Sequence, residues 1–457
     1  MTKSAISHQP NKISPARVVA LLVLIRVERD HAYSDLAWQE ERQRLSVLDA
    51  GLAQEVIFGV LTWRRLLDYW IQSLSKISLE RMSLEVLTVL RMALFQLRFL
   101  ERVPAYAVLN DAVEQAKSSS KGAASFVNGV LRTAVREDDY LPPIREIEDC
   151  EYTSKSKWGV QLSYPDWMVD YFVRHFGEMA CQIMLALNHK PVRAVRVNTR
   201  KGNRTHVIEL LQHEGVDAAP SPISPYGIRL APGTQPLRLH AYQEGLISLQ
   251  GESSMLVAPL FGDLRKKSFL DACAAPGGKG LHVAEIAGNA DVTMVELHQN
   301  RAQVIRDQAV RLGIFAQIVV ADARAVSGSF DAVLLDAPCS GLGTIARKPD
   351  IKWRIRPKDM ATLVPVQSEL LDAMADCLKP AGTLVYTTCT LSPQENEMQI
   401  QGFLSRHPDF DLQPIHELDE VATTNAHHNH QTGMTYILPQ DFHGDGFFLA
   451  RLVRRDN

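Results

Sequence analysis

From Lys267 onward, short apolar runs alternate with longer helical stretches, and few folds accept that pattern. The runs cover residues 268–273, 292–296, 317–320, 332–336 and 383–386, with helical spacing near 300–312 and 360–378 between them. Short continuous apolar runs bounded by turn residues are expected of strands buried on both faces of a parallel sheet. Their alternation with helices predicts a doubly wound α/β sheet. A last run, residues 446–453, is a candidate for an antiparallel addition to it. Ligands of such sheets bind beyond the carboxyl ends of the strands, near the point where strand order reverses. The residues just after each run are therefore the first candidates for function.

Two of those residues are cysteines. Cys339 lies in Asp336-Ala337-Pro338-Cys339-Ser340-Gly341, and Cys389 lies in Thr388-Cys389-Thr390. One cysteine behind a strand is ordinary core filling. Two, delivered to one sheet edge by different strands and accompanied by Asp336, are placed for chemistry.

The first run leads into Ala274-Ala275-Pro276-Gly277-Gly278-Lys279-Gly280 and then a helix. Such a loop lets backbone N–H groups approach a ligand. It lacks the Lys-Ser/Thr ending of a phosphate-binding loop and the spacing of a dinucleotide fingerprint. Glu296 ends the next run, 18 residues after Gly278, where an acid can bind ribose hydroxyls. Asp322 follows the third run, where it can accept from an adenine amine. A ribose, an adenine and no phosphate site describe S-adenosylmethionine better than a dinucleotide.

With that cofactor the thiols acquire a task. Carbon 5 of a pyrimidine is a poor nucleophile, and a thiolate adding at carbon 6 makes an enamine whose carbon 5 can attack a methyl sulfonium. A base then removes the carbon 5 proton and the thiolate is expelled. Asp336 would hydrogen-bond the base edge and stabilise charge developing there. Thiol activation supplies little of the rate. A thiol of pKa about 8.5 is about 3% ionised at pH 7. Lowering it by about two units gains about 25-fold in thiolate and loses about 8-fold in nucleophilicity, at a slope borrowed from disulfide exchange. Orientation and protonation of the ring must do the rest.

The chain has 457 residues, 46% hydrophobic and 22% charged, with a net charge of −3. Its length suggests about three domains, and its charge gives no global nucleic-acid signal, so any such contact must be local. Six cysteines without regular spacing are too sparse for a disulfide scaffold and favour a reducing, cytoplasmic setting. The first apolar run, residues 18–27, is interrupted by Arg26 and too short to span a bilayer.

Residues 1–14 are polar and expected to be disordered. Apolar spacing of three and four then predicts five to seven packed helices to about residue 137. Arg64, Arg65, Arg98 and Arg102 on them are candidate phosphate contacts, with ordinary solvated helix faces as the favoured alternative for each pair taken alone. The acidic stretch 138–151, with Pro142-Pro143, suggests a linker. Beyond it, Lys190, Arg193, Arg196, Arg200, Lys201 and Arg204 form a run of one sign around a predicted strand. That run is a candidate nucleic-acid contact, with an ordinary surface strand as the alternative. The expected domains are residues 1–140 (all-helical), 141–240 (small α+β) and 241–457 (catalytic α/β). Deleting residues 1–140 should weaken RNA binding more than cofactor binding.

These motifs resemble the Sun (Fmu) family of RNA cytosine-C5 methyltransferases. The resemblance rests on residues 271–279, 336–341, Arg347-Lys348-Pro349-Asp350, Trp353, Thr388-Cys389-Thr390 and Asp445-Gly446-Phe447-Phe448, and covers the chain from about Tyr164. The helical start, with residues 107–114 and 127–132, looks like a NusB-type RNA-binding domain. Together they imply a Rossmann-like methyltransferase domain, a small linking domain and methylation of carbon 5 of a cytosine in 16S rRNA, position 967 by resemblance. The resemblance makes Cys389 the nucleophile and Cys339 the residue aiding product release. Asp336 becomes the base-edge contact and Lys279 its polar neighbour. The cofactor would lie against Cys273, Ala274, Ala275, Pro276, Gly277, Gly278, Lys279, Glu296, Asp322 and Asp336. Two positions depart from the family pattern: Glu296, where Asp is commoner, and Gly251, where many members have Asp.

The expected partner is naked or early-assembly 16S rRNA, since carbon 5 of a paired base is hard to reach from inside a helix. No membrane or metal is expected, and the protein should act as a monomer. His427, His428 and His430 are read as a variable loop rather than a metal tract. Two rivals stand beside this reading: a tRNA substrate for the same chemistry, and a non-catalytic NusB-like RNA binder. The paired thiols argue against the second.

Overall fold

The computed structural model describes residues 13–136, 154–419 and 432–456. Most of the polar start, the 138–151 linker and the histidines at 427–430 lie outside the described residues. The chain divides into two compact units: residues 1–184 with 348–354, and residues 185–347 with 355–457.

The first unit is helical. Helices Pro15–Arg29, Ser34–Glu41, Val47–Leu74, Leu84–Phe99, Ala105–Ala116 and Ala123–Arg136 share one core containing Val23, Ile57, Leu67, Leu90, Leu94 and Leu131. Ser46 and Ser83 cap two of these helices through their side chains. The arginines proposed as phosphate contacts are largely engaged within the unit. Arg64 pairs with Glu28 at 2.6 Å, Arg65 with Asp166 at 2.7 Å, and the Arg98 guanidinium lies 6.0 Å from the Trp70 ring centre. Segment 348–354 belongs here too, with Trp353 Nε1 donating to the Leu61 carbonyl at 2.6 Å.

The second unit holds two sheets. The smaller consists of β1 Arg193–Val197, β2 Ala218–Pro220, β3 Gly227–Leu230 and β4 Ile247–Leu249, in the order β2-β3-β1-β4 and antiparallel throughout. The larger contains β5 Ser268–Asp271, β6 Asp291–Glu296, β7 Gln317–Val320, β8 Phe330–Asp336, β9 Leu378–Thr388, β10 Phe410–Leu412, β11 Met434–Ile437 and β12 Phe447–Arg454. Its order is β10-β12-β9-β8-β5-β6-β7, with β11 also paired to β12. Strands β5 to β9 are mutually parallel, and β12 runs antiparallel to β9, as expected for the last run.

Why the runs read as continuously apolar is plain from their two faces. Phe269, Met294, Leu334, Val385 and Leu449 join one core; their neighbours Leu270, Val295, Leu335, Tyr386 and Phe448 join another. Helices cover both faces, so each of these ten positions is buried, and each large side chain contributes about 1.5–3 kcal/mol. Strand order reverses around β5, which lies between β6 and β8.

Arg196 corrects the expectation for the basic run. It is fully buried rather than facing a nucleic acid. Its Nε and Nη2 donate to Glu285 at 2.9 and 2.6 Å, and Nη1 donates to the Gly278 carbonyl at 2.6 Å and to Gln250. Arg193, Lys201 and Arg204 donate to the carbonyls of Thr234, Glu244 and Ser224. Among the described residues Cys273, Cys339, Cys377 and Cys389 are free thiols, whereas Cys181 is disulfide-bonded. No helix among the described residues is long and apolar enough to cross a membrane.

Candidate active site

Strands β5, β6, β8 and β9 end side by side, and their following loops bring the candidate residues to one edge of the sheet. Cys339 Sγ and Cys389 Sγ lie 3.3 Å apart, both partly exposed. Lys279 Nζ donates to Asp336 Oδ2 at 2.6 Å and sits 5.2 Å from the centre of the Phe447 ring. The other Asp336 oxygen accepts from Thr387 Oγ1 at 2.9 Å. All four residues expected to be catalytic are therefore neighbours, although Cys339 and Cys389 are 50 residues apart in sequence.

The two cysteine loops are tied to each other and to the Asp445 turn. Gly343 N–H donates to the Cys389 carbonyl at 3.0 Å, and Gly446 N–H donates to the Gly343 carbonyl at 2.8 Å. A Cβ on Gly343 would lie 2.0 Å from the Gly446 carbonyl oxygen, so only glycine permits this approach. Gly251 also gains a reason. A Cβ there would lie 2.9 Å from Asp445 Oδ2, in the carboxylate that Arg347 Nε holds at 2.7 and 2.8 Å. An Asp at this position would crowd a second carboxylate against Asp445.

The thiols differ in acidity for reasons visible in the contacts. The Cys339 S–H hydrogen bond holds Cys389 below the ordinary thiol range; burial and Asp336 oppose this and the Lys279 charge assists it. Cys339 is held well above that range by the same hydrogen bond, by burial and by the charge on Cys389. Of the pair, Cys389 is the more readily ionised sulfur and Cys339 the less. Cys273 is pushed up to about 12 by burial and by Asp271, Asp336 and Glu296, which leaves it protonated. For Lys279, burial disfavours the ammonium, but the Asp336 charge and hydrogen bond more than offset it, and the pKa is raised.

A test of this assignment is the pH dependence of alkylation. Cys339→Ala removes the donated S–H, so the pH midpoint for modification of Cys389 by iodoacetamide should move upward relative to wild type. An unmoved midpoint would show that Cys339 does not tune Cys389.

On the cofactor side, the loop from Cys273 to Lys279 joins β5 to helix Gly278–Ala287. Glu296 is buried at the end of β6; its Oε1 accepts the His298 N–H at 3.0 Å and lies 3.4 Å from Arg301. Asp322 is more open, and hydrogen bonds from the Arg324 side chain and N–H hold its carboxyl down to about 2. Both acids therefore anchor the turns that follow them, beside any ligand role. Asp271 is buried with neither oxygen in a well-aligned hydrogen bond. Burial first, and then Asp336, raises it to about 7, against Lys279 and the N–H groups of Cys273 and Gly280. An edge that gathers the carboxyls of Asp271, Glu296, Asp322 and Asp336 fits a cationic sulfonium nucleoside better than a phosphate ester.

Glu395 was not anticipated as part of this site, although it stands six residues after Cys389. Nor was Asn396, whose Oδ1 accepts from Thr388 Oγ1 at 2.6 Å while its Nδ2 donates to the Thr390 carbonyl at 3.0 Å. The polar run following the Thr-Cys loop was the available signal. Without the fold it reads equally well as a solvated helix start.

Comparison with known proteins agrees with this architecture. Residues 261–453 match the family described as 16S rRNA methyltransferase RsmB/F, residues 14–136 the NusB family, and residues 164–235 the RsmF/B-like ferredoxin-like domain. Probable ribosomal RNA small subunit methyltransferase B of Bacillus subtilis is 35% identical over 97% of this chain and 100% of its own length. Ribosomal RNA small subunit methyltransferase B of Photorhabdus laumondii is 34% identical, covering 91% of this chain and 92% of its own. The solved structure of PH0851 shares the fold, with a TM-score of 0.78 at 24% identity, over 96% of this chain and 99% of that one.

Proposed function

The chain belongs to the RsmB/F family of 16S rRNA methyltransferases, and we propose that it methylates carbon 5 of a cytosine, position 967 by resemblance, from S-adenosylmethionine through a covalent Cys389 intermediate. The observation that carries this reading is the Cys339–Cys389 pair, 3.3 Å apart, beside the Lys279–Asp336 pair. Binding alone needs neither thiol.

The loop from Cys273 to Lys279, with Glu296, Asp322 and Asp336, would hold the cofactor. When bound, it supplies an electrophilic methyl group on a sulfonium. The Cys389 thiolate forms a bond to carbon 6 of the ring, and the displaced π electrons make carbon 5 nucleophilic. The addition puts negative charge on ring nitrogen 3, which must take up a proton; Asp336, positioned by Lys279 and Thr387, would accept a hydrogen bond from the N3–H so formed. After methylation, a base takes the carbon 5 proton, a role for which the Cys339 sulfur is placed once it has given up its own proton; the carbon–hydrogen bonding electrons restore the 5,6 double bond, and the carbon–sulfur bonding electrons return to Cys389 as thiolate. Once Cys389 sulfur is bound to carbon it carries no negative charge. Two causes that hold the Cys339 proton, the hydrogen bond to Cys389 and its charge, then weaken, which frees Cys339 to assist release.

Incubating unmethylated 16S rRNA with the protein and S-adenosylmethionine should give a single cytosine resistant to bisulfite conversion. Methyl incorporation without a resistant cytosine would overturn the carbon 5 assignment. A tRNA modified in preference to rRNA would overturn the substrate.

A further inference from the structure

Glu395 is fully buried, and none of its hydrogen-bond partners is a cation. Its Oε2 accepts from the Ser340 N–H at 2.8 Å and from Gln367 Nε2 at 3.0 Å, and its Oε1 accepts from Ser340 Oγ at 2.5 Å. Ser340 Oγ is also 2.7 Å from Thr390 Oγ1. Ser340 directly follows Cys339, and Thr390 directly follows Cys389. The Glu395 main chain is fixed as well, since Tyr386 Oη donates to its carbonyl at 2.7 Å. Gln367 Nε2 donates in addition to the Pro338 carbonyl at 2.9 Å, which ties the other side of Cys339 to the same group.

Burying a carboxylate without a cation is costly unless several donors converge on it. Here two of the donors, the N–H and hydroxyl of Ser340, come from the loop carrying Cys339 and the third, Gln367, from a helix that also holds that loop through the Pro338 carbonyl, while the acid comes from the segment carrying Cys389. A fold seeking stability alone could fill this space with apolar side chains at lower cost. We propose that Glu395 is a positioning residue of the two-thiol site, clamping the Cys339 loop to the Cys389 loop so that the release thiol stays in register with the attacking one. The inference rests on the reading of Cys389 as attacker and Cys339 as the residue of release.

The amide of Glu395→Gln keeps the shape but turns one acceptor into a donor facing the donors of Ser340 and Gln367. The clamp loosens without touching the thiols or the cofactor loop. With the full-length protein, unmethylated 16S rRNA and S-adenosylmethionine, kcat should fall at least about tenfold, with KM for either substrate within about twofold of wild type. The ratio of denaturation-resistant protein–RNA adduct to methylated product should rise, in the direction given by Cys339→Ser. Ser340→Ala, which spares the backbone N–H bond, should shift that ratio the same way to a smaller extent, and it decides the matter if Glu395→Gln does not fold. A purely structural role predicts a lower melting temperature with an unchanged adduct-to-product ratio in the folded fraction of both variants, and that result overturns the proposal. Cys389→Ser run in parallel separates the two readings. If it still methylates, the two-thiol reading fails; if it is inactive while the Glu395 and Ser340 variants keep the wild-type ratio, only the clamp fails.

Discussion

Cys389→Ser is expected to abolish methyl transfer, with a loss in kcat on the order of 10⁴-fold or more, the scale on which removal of a covalent nucleophile is felt in other enzymes. At about 1.36 kcal/mol per tenfold, that is more than about 5 kcal/mol of transition-state stabilisation. The hydroxyl fits the thiol's place, so folding and cofactor binding should survive. What is lost is a sulfur nucleophile: Cys389 is held below the ordinary thiol range by Cys339 and Lys279, and neither could ionise a serine. Cys339→Ser should behave differently, because the attacking sulfur remains. It should form the adduct and release it slowly. The measurement is single-turnover methylation alongside gel detection of protein–RNA complexes, and equal residual activity in both variants would contradict the division of roles.

Arg196→Met is expected to destabilise the second unit by about 3–5 kcal/mol, the cost of leaving one member of a buried ion pair alone. Glu285 is the abandoned partner, itself only 3% exposed. Its carboxyl is already raised by burial even with Arg196 opposing that, and loss of the guanidinium raises it further. A carboxyl whose folded pKa lies above its unfolded value loses stability as pH rises through that window. The deficit of the variant should therefore be larger at pH 7 than at pH 5 in denaturant titrations. The double variant Arg196→Met with Glu285→Leu should recover most of it, since neither buried charge is then orphaned. Cofactor affinity should also fall in the single variant, because Nη1 of Arg196 holds the Gly278 carbonyl within the loop proposed to bind it. Had Arg196 been an RNA contact, the substitution would lower RNA affinity and leave stability alone.

Arg196 shows where a linear reading stops. The run from Lys190 to Arg204 has one sign, and a solvated cationic strand is the economical interpretation of it. Its acid partner is 89 residues away, on a helix whose packing against β1 is not encoded locally. Strands β5, β6, β8 and β9 were legible because burial on both faces leaves a continuous apolar run, which needs no partner to be recognised; β7, at the sheet edge, is apolar without being buried. Cys339, Cys389 and Asp336 were legible because strand ends deliver residues to one edge whatever the loops do. The choice of attacker was not. It came from family resemblance, and the acidity difference supporting it depends on a contact between loops 50 residues apart. Glu395 and Asn396 stayed hidden for the opposite reason, since polar residues after a turn look solvated until the fold buries them. The insertion of β12 between β9 and β10 was only half readable, as its apolar run indicated a strand but not its neighbours.

The most direct measurement uses a 16S rRNA fragment carrying 5-fluorocytosine at the target, incubated with the protein and S-adenosylmethionine. Fluorine cannot leave carbon 5 as a proton does, so a covalent addition intermediate has no route to collapse. The account predicts a one-to-one protein–RNA complex that survives denaturation, with the RNA on the peptide containing Cys389. Methylated RNA without any such complex, or attachment at Cys339 instead, would contradict it.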